Sequence, residues 1–172
     1  MQPKVTIVTI TYNLLEANRE KTFRQCVESV HNQTYENIEH IVIDGASNDG
    51  TIELLKEYAD KNWLTYYSEP DTSIYNAMNK GLAKATGEYI TFLNSDDFYH
   101  NLEGISKTVK TIVNSNADFV YSDFIAAGRD YALTCQGERI SWSRFLCDDL
   151  LLVADCLALA YGSTTIVNLI RQ

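Results

Sequence analysis

Two neighbouring carboxylates at the end of an apolar run are the first residues in this 172-residue sequence that could do chemistry. They stand in Asn94-Ser95-Asp96-Asp97, directly after Tyr89-Ile90-Thr91-Phe92-Leu93. Adjacent negative charges repel, and a hard divalent cation with oxygen ligands offsets that cost while bridging to a diphosphate. The same residues also suit an Asx turn or a helix N-cap, in which Asp96 or Asp97 accepts backbone N–H groups. A second cluster, Asp44-Gly45-Ala46-Ser47-Asn48-Asp49-Gly50-Thr51, follows Ile41-Val42-Ile43. Its small residues let a ligand approach the backbone, and Asp44 could accept hydrogen bonds from a nucleobase or ribose. A plain loop with a helix cap from Ser47 or Asp49 is the alternative. A third cluster, Thr9-Ile10-Thr11-Tyr12-Asn13, closes the first apolar run. There Tyr12 could stack on a base, or be an ordinary surface tyrosine.

Each cluster needs an element to position it. Val5–Thr11 is β-branched throughout and reads as a buried strand. From Glu16 to Val30, the residues Phe23, Cys26, Val27 and Val30 recur at helical spacing. Ile38–Ile43 is a second strand, and a second helix follows from about Thr51, with Ile52, Leu55 and Ala59 on one side. Leu64–Tyr67 reads as a short third strand, and Ile74, Ala77, Met78 and Leu82 mark a third helix that closes near Gly87. Glu88–Leu93 is a fourth strand; Ile105, Val109, Ile112 and Val113 make a fourth helical stripe; Ala117–Phe124 is a fifth strand. Alternation of this kind predicts an α/β fold, a mostly parallel sheet flanked by helices on both faces. Ligands in such sheets sit beyond the carboxyl ends of the strands, where all three clusters lie.

Composition narrows the function. Apolar residues make up 45% and charged residues 22%, which excludes disordered and collagen-like classes. A formal charge of −9 argues against a nucleic-acid partner, because phosphate backbones are held by clustered Lys and Arg. A nucleotide can still bind such a chain when a divalent cation sits between carboxylates and phosphates. Cys26, Cys135, Cys147 and Cys156 form no C-x-x-C pair and have no histidine at zinc-ligand spacing. Reduced, packed thiols in a cytoplasmic protein are the expectation. Met1-Gln2-Pro3-Lys4 leads straight into a strand with no signal-peptide pattern. The longest apolar run, Leu150–Ala160, is interrupted by Asp155 and falls short of the ~18 to 20 residues that span a bilayer. His31, His40 and His100 are isolated and read as solvated or core histidines, and the 11 tyrosines suit sugar stacking or core packing alike.

Taken together, the blocks resemble glycosyltransferase family 2, whose nucleotide-binding fold is called GT-A. The resemblance covers about Pro3 to Asp123. It rests on Val5 to Asn13, on Ile41 to Thr51, and on a long third block. That block comprises Ser68-Glu69-Pro70-Asp71, Ile74-Tyr75-Asn76-Ala77-Met78-Asn79-Lys80-Gly81, Ala85-Thr86-Gly87-Glu88-Tyr89-Ile90 and Phe92 to Asp97. The resemblance implies that Thr11 and Tyr12 lie beside the nucleobase and that Asp44 contacts base or ribose. It implies that the Asp71 region faces the nucleotide or donor sugar. Asp96 and Asp97 match the family's metal-binding acidic motif, one holding ribose or diphosphate and the other Mn²⁺ or Mg²⁺. It further implies an inverting transfer from a nucleoside-diphosphate sugar, UDP-linked, to a carbohydrate or lipid-linked acceptor hydroxyl. The implied setting is synthesis of a surface polysaccharide or glycolipid, in the cytoplasm at the inner face of a membrane.

Some positions depart from the family pattern. Gly45 stands where many relatives carry a second Asp, Asn94 takes the first place of the acidic motif, Thr72-Ser73 replaces Lys-Gly, and Asn76 replaces Asp. We expect one domain over 1–172, with 1–124 as the donor nucleotide-binding part and 125–172 as a partial, apparently truncated acceptor-side region. Relatives usually extend further and carry their catalytic base there. Asp123, Asp148, Asp149 and Asp155 are the acidic candidates, none in a matching context, so no base is assigned. A binding module or truncated chain without the acceptor half is the main rival. A nucleotidyltransferase is disfavoured, because Thr9–Leu15 has no Gly-rich basic loop for a triphosphate.

Overall fold

A computed structural model describes residues 2–120 and 169–171. Its elements are β1 (Val5–Thr11), α1 (Glu20–His31), β2 (Ile38–Asp44), α2 (Thr51–Asp60), β3 (Thr65–Ser68), α3 (Ile74–Lys84), β4 (Tyr89–Phe92), α4 (Gly104–Ser115), β5 (Phe119–Val120) and β6 (Leu169–Arg171). Strands run in the order β3-β2-β1-β4-β6-β5. The first four are parallel, as the alternation predicts. β6 is antiparallel to both β4 and β5, a pairing that no periodicity near the end of the sequence foretells. Of the expected fifth strand, only Phe119–Val120 lies among the described residues as strand.

The sheet is apolar on both faces because helices cover both. On one face α1 and α4 bring Cys26, Val30, Ile105, Val109 and Ile112 against Val5, Ile7, Tyr89 and Leu93. The same layer continues where Phe23 and Val27 meet Leu54, Leu55 and Tyr58 of α2 over Val42. The opposite face carries Val8, Ile41, Ile43 and Ile90 against Ala77 of α3. Each such fully buried aliphatic side chain contributes about 1.5–3 kcal/mol. Right-handed crossovers explain the split. The chain moves outward from β1 to β2 to β3 with its helices on one side. It then returns past β1 to β4, so α3 falls on the other. Gly81 lets α3 approach closely, since a Cβ there would run into Val8 Cγ1 and lie 3.3 Å from Ile43 Cγ1.

Several sequence expectations shift in detail. α1 begins at Glu20 rather than Glu16, because residues 13–19 form a turn in which Asn13 and Asn18 have φ of 45° and 56°. The buried stripe of α4 includes Thr108, while Val113 points to solvent. In α2 it is Thr51, Leu54, Leu55 and Tyr58 that are buried, with Ile52 and Ala59 at the margin. Ile74, at the start of α3, is exposed. No helix among the described residues is long and apolar enough to cross a membrane.

The order β3-β2-β1-β4 places a topological switch at β1 and β4. Strands to either side of that point are reached by crossovers on opposite faces, so their connecting loops part. In sheets of this order the ligand crevice lies at the carboxyl ends of the strands flanking the switch point. The loop after β1 and the turn after β4 border it.

Candidate functional site

The floor is set by β1 and β2, whose register puts Thr11 opposite Asp44. Asp44 is fully buried. Its Oδ1 accepts from Thr11 Oγ1 at 3.1 Å and from Ser47 Oγ at 2.5 Å. Its Oδ2 accepts from Ser47 N at 2.9 Å and Ser68 Oγ at 2.8 Å. A carboxylate offers about four acceptor positions, and protein donors take all of them. The expectation that Asp44 itself contacts base or ribose therefore finds no exposed, unused oxygen. Asp44 instead fixes the ends of β1, β2 and β3 relative to one another.

The loops after β1 and β2 are laced together from both sides. Asn13 N donates to Ser47 Oγ and Asn48 N to Asn13 Oδ1, while Leu14 N donates to Thr51 Oγ1 and Glu16 N to Asp49 Oδ2. Asp49 also accepts from Thr51 N and Oγ1 in an Asx turn, whereas the N-cap of α2 is Gly50 with no side-chain cap, so neither Ser47 nor Asp49 caps the helix. Ala46 is held at φ 63°, a left-handed conformation that costs a non-glycine residue on the order of 1 kcal/mol and that the lacing sustains. Upon this frame Tyr12 stands 65% exposed. An aromatic ring so placed offers a flat apolar surface to a planar ligand.

Gly45 and Asp71 complete that wall. A Cβ at position 45 would sit 3.1 Å from Tyr12 Cδ2, 3.4 Å from Asp71 Oδ2 and 3.7 Å from the Thr11 carbonyl. Tyr12 and Asp71 thus bound one small space that a side chain at 45 would occupy. The Asp71 side chain is only 12% exposed, and Lys80 Nζ lies 2.5 Å from its Oδ1. Lys80 also donates to the Pro70 carbonyl at 2.8 Å and lies 3.5 Å from Glu69. These contacts, Asp71 foremost, raise the Lys80 pKa above its ordinary value. Lys80 reaches back from α3 to hold the loop after β3, and sequence spacing assigned it no role. Ser68 was also missed; both act across gaps in the chain that periodicity cannot see.

Across the crevice, the segment after β4 forms a tight turn. Asp97 N donates to the Asn94 carbonyl at 3.1 Å, and Asn94 Nδ2 donates to Asp97 Oδ2 at 3.0 Å. The Asn at the first place of the motif therefore serves the turn that presents the two carboxylates. Asp96 is turned outward with its side chain 47% exposed, and Arg19, at the start of α1, is 3.8 Å away. Beneath the turn, the buried Cys26 thiol lies 3.5 Å from the Asn94 carbonyl. Burial first, and then the charges of Asp97 and Asp96, push that thiol up to about 12, so Cys26 is a packing residue and not a nucleophile.

Asp96 and Asp97 are hard oxygen donors. Among the described residues no three His, Cys, Asp or Glu side chains converge into a cation cage. Two carboxylates suit Mg²⁺ or Mn²⁺ none the less, since such ions are commonly held by one or two carboxylates with substrate phosphates and water completing the shell. The donor set fits a metal that arrives with its nucleotide. His40 is a core residue on Thr9 Oγ1 at 3.0 Å, and His31 stacks on Trp63 at 3.7 Å; neither borders the crevice. The acidic candidates Asp123, Asp148, Asp149 and Asp155 lie outside the described residues, as do Cys135, Cys147, Cys156 and the run Leu150–Ala160.

The model of glycosyl transferase family 2 matches residues 6–159, and the chain belongs to that family. It is 30% identical over 122 residues to the glycosyltransferase GlyA of Streptococcus pneumoniae, covering 70% of this chain and 17% of the relative. It is 35% identical over 111 residues to a glycosyltransferase of Mycobacterium tuberculosis, covering 64% and 40%. The chain thus spans well under half the length of these relatives. Among solved structures it is similar to Staphylococcus aureus TarS 1-349 in complex with UDP-GlcNAc, with a TM-score of 0.64, 24% identity, and coverage of 76% and 37%. It is similar also to the mannosyltransferase PcManGT from Pyrobaculum calidifontis in complex with GDP-Man and Mn²⁺, with a TM-score of 0.63, 24% identity, and coverage of 73% and 36%. These likenesses establish the GT-A fold.

Proposed function

We propose that the crevice between β1 and β4 binds a nucleoside-diphosphate sugar, UDP-linked, through Mn²⁺ or Mg²⁺. The protein then transfers the sugar to an acceptor hydroxyl with inversion. The observation that carries this reading is the arrangement of two unlike walls around one switch-point crevice. A flat aromatic surface with a carboxylate stands on one side, Tyr12 and Asp71, and a pair of metal-competent carboxylates on the other, Asp96 and Asp97.

Each residue has a part in this reading. Tyr12 stacks on the base, and Thr11 together with the saturated Asp44 holds the strand ends that carry the base pocket. Asp71, fixed by Lys80, lines the nucleotide side. Asp96 and Asp97 would hold the cation and with it the diphosphate or ribose, while Arg19 supplies positive charge at the same edge. Bound there, the metal would act as a Lewis acid that neutralises the departing nucleoside diphosphate. Inversion follows from direct displacement of the nucleoside diphosphate by the acceptor hydroxyl, helped by a carboxylate base on the acceptor side that takes the hydroxyl proton. The acceptor is a carbohydrate or lipid-linked hydroxyl in surface polysaccharide or glycolipid synthesis, on the cytoplasmic side at the membrane's inner face. These finer assignments draw their support from the family.

Calorimetric titration with UDP, with and without Mn²⁺, tests the reading on the wild type and on an Asp96→Ala, Asp97→Ala variant. We expect metal-dependent binding that the variant loses. Absence of binding by UDP, GDP and dTDP in the presence of metal would overturn it.

A further inference from the structure

Of positions 44, 45 and 71, two offer a base no unused carboxylate oxygen in this chain. Asp44 spends its lone pairs on Thr11, Ser47 and Ser68. Position 45, where many relatives carry Asp, is glycine and has no side chain. The third, Asp71, is differently placed. Its Oδ1 is buried and paired with Lys80, while Oδ2 faces the space above Gly45 beside the Tyr12 ring. Oδ2 accepts from no protein donor among the described residues.

We infer that Asp71 selects the base, accepting through Oδ2 a hydrogen bond from the ring N–H of a uracil or guanine stacked on Tyr12, with Gly45 as the gap that admits it. This rests on the nucleotide reading above and adds to it the identity of the residue that discriminates. An ionised carboxylate is an acceptor only. It pairs with N3–H of uracil or N1–H of guanine and faces a lone pair at N3 of cytosine. A site built to accept a hydrogen bond penalises a ligand that lacks the donor, because the buried acceptor is then left unpaired. Lys80 makes the arrangement directional. It holds one oxygen at 2.5 Å and so leaves only the other for the ligand.

That direction yields a positive test. In Asp71→Asn the amide carbonyl would take the place beside Lys80, since Lys80 can only donate. The amide NH₂ would then face the base, turning an acceptor into a donor that complements N3 of cytosine and opposes N3–H of uracil. Titrations of the full chain with UDP, GDP and CDP in saturating Mn²⁺ read the effect. The wild type should prefer UDP or GDP to CDP by at least about tenfold. Asp71→Asn should collapse or invert that ratio, which a merely misfolded variant cannot do. 3-Methyl-UDP and 1-methyl-GDP, which lack the ring N–H, should bind the wild type at least about tenfold more weakly than their parents and bind Asp71→Ala with no such loss. An unchanged UDP-to-CDP ratio in Asp71→Asn, with metal-dependent binding intact, would overturn the selection role and leave the donor site standing. No nucleotide binding at all in the wild type would overturn both.

Discussion

At the scale of single residues, Asp44 illustrates how a polar group inside a site can matter without touching a ligand. Its four donors come from three segments, so replacing it leaves several of them buried and unmatched. Asp44→Ala should cost about 2–4 kcal/mol in urea unfolding and abolish nucleotide binding as the strand ends separate. Gly45→Ala should behave in the opposite way. Its Cβ meets only ordinary or slightly tight neighbours, so stability should stay within about 0.5 kcal/mol while nucleotide affinity falls about tenfold, because the added methyl fills the space between Tyr12 and Asp71. Calorimetry beside chemical denaturation separates the two variants. The residue types at these positions were legible in the sequence, since acids and a tyrosine at strand ends announce a site. Their bonding was not. Whether Asp44 is saturated depends on Ser68, and whether Asp71 is directed depends on Lys80, and both partners arrive through the fold.

At the scale of elements, α3 carries both the return of the chain to β4 and the lysine that orients Asp71. Its N-cap is Ser73, whose side chain accepts from Asn76 N at 3.1 Å. Ser73→Ala should cost about 1 kcal/mol. Gly81→Ala poses two opposed effects. Alanine favours a helix over glycine by about 1 kcal/mol, but here its methyl would overlap Val8, and overpacking of a tight helix–sheet contact costs about 1–3 kcal/mol. Net destabilisation is expected in thermal melts, and adding Val8→Ala should recover part of it by making room. Element types in the first 120 residues followed from pattern because β-branched runs and 3.6-residue spacing are strong signals. Helical faces were less legible. Thr108 and Thr51 are buried without being apolar, and Val113 and Ile74 are apolar without being buried. β6 escaped notice because three residues, paired antiparallel to a partner far away in sequence, leave no periodicity to read.

At the scale of the whole molecule, a buried histidine and a half-buried glutamate make stability depend on pH in the same direction. Burial lowers the pKa of His40 from 6.5 to about 4. Between those values the unfolded chain binds a proton that the folded chain refuses, so stability rises with pH across this window and is lost as pH falls, by about 3 kcal/mol in full. For Glu39, burial raises the pKa, but hydrogen bonds from Thr6, Thr86 and Lys4 outweigh it and bring the group to about 2. Its contribution is complete above about 4.5 and is lost as pH drops toward 2. Urea midpoints should therefore decline from about pH 6.5 downward, and His40→Gln should flatten the decline between pH 6.5 and 4. The GT-A architecture brings the aromatic wall and the acidic turn to one crevice from segments more than 80 residues apart. The central claim is that this crevice binds nucleotide and cation as one unit. Electron paramagnetic resonance of Mn²⁺, titrated with protein in the absence and presence of UDP or GDP, measures that coupling. Two carboxylates alone should hold Mn²⁺ weakly, and nucleotide should tighten it at least about tenfold, with the reciprocal gain for nucleotide that linkage requires. Mn²⁺ affinity that is unchanged by every nucleotide, or unchanged by Asp96→Ala with Asp97→Ala, would contradict it.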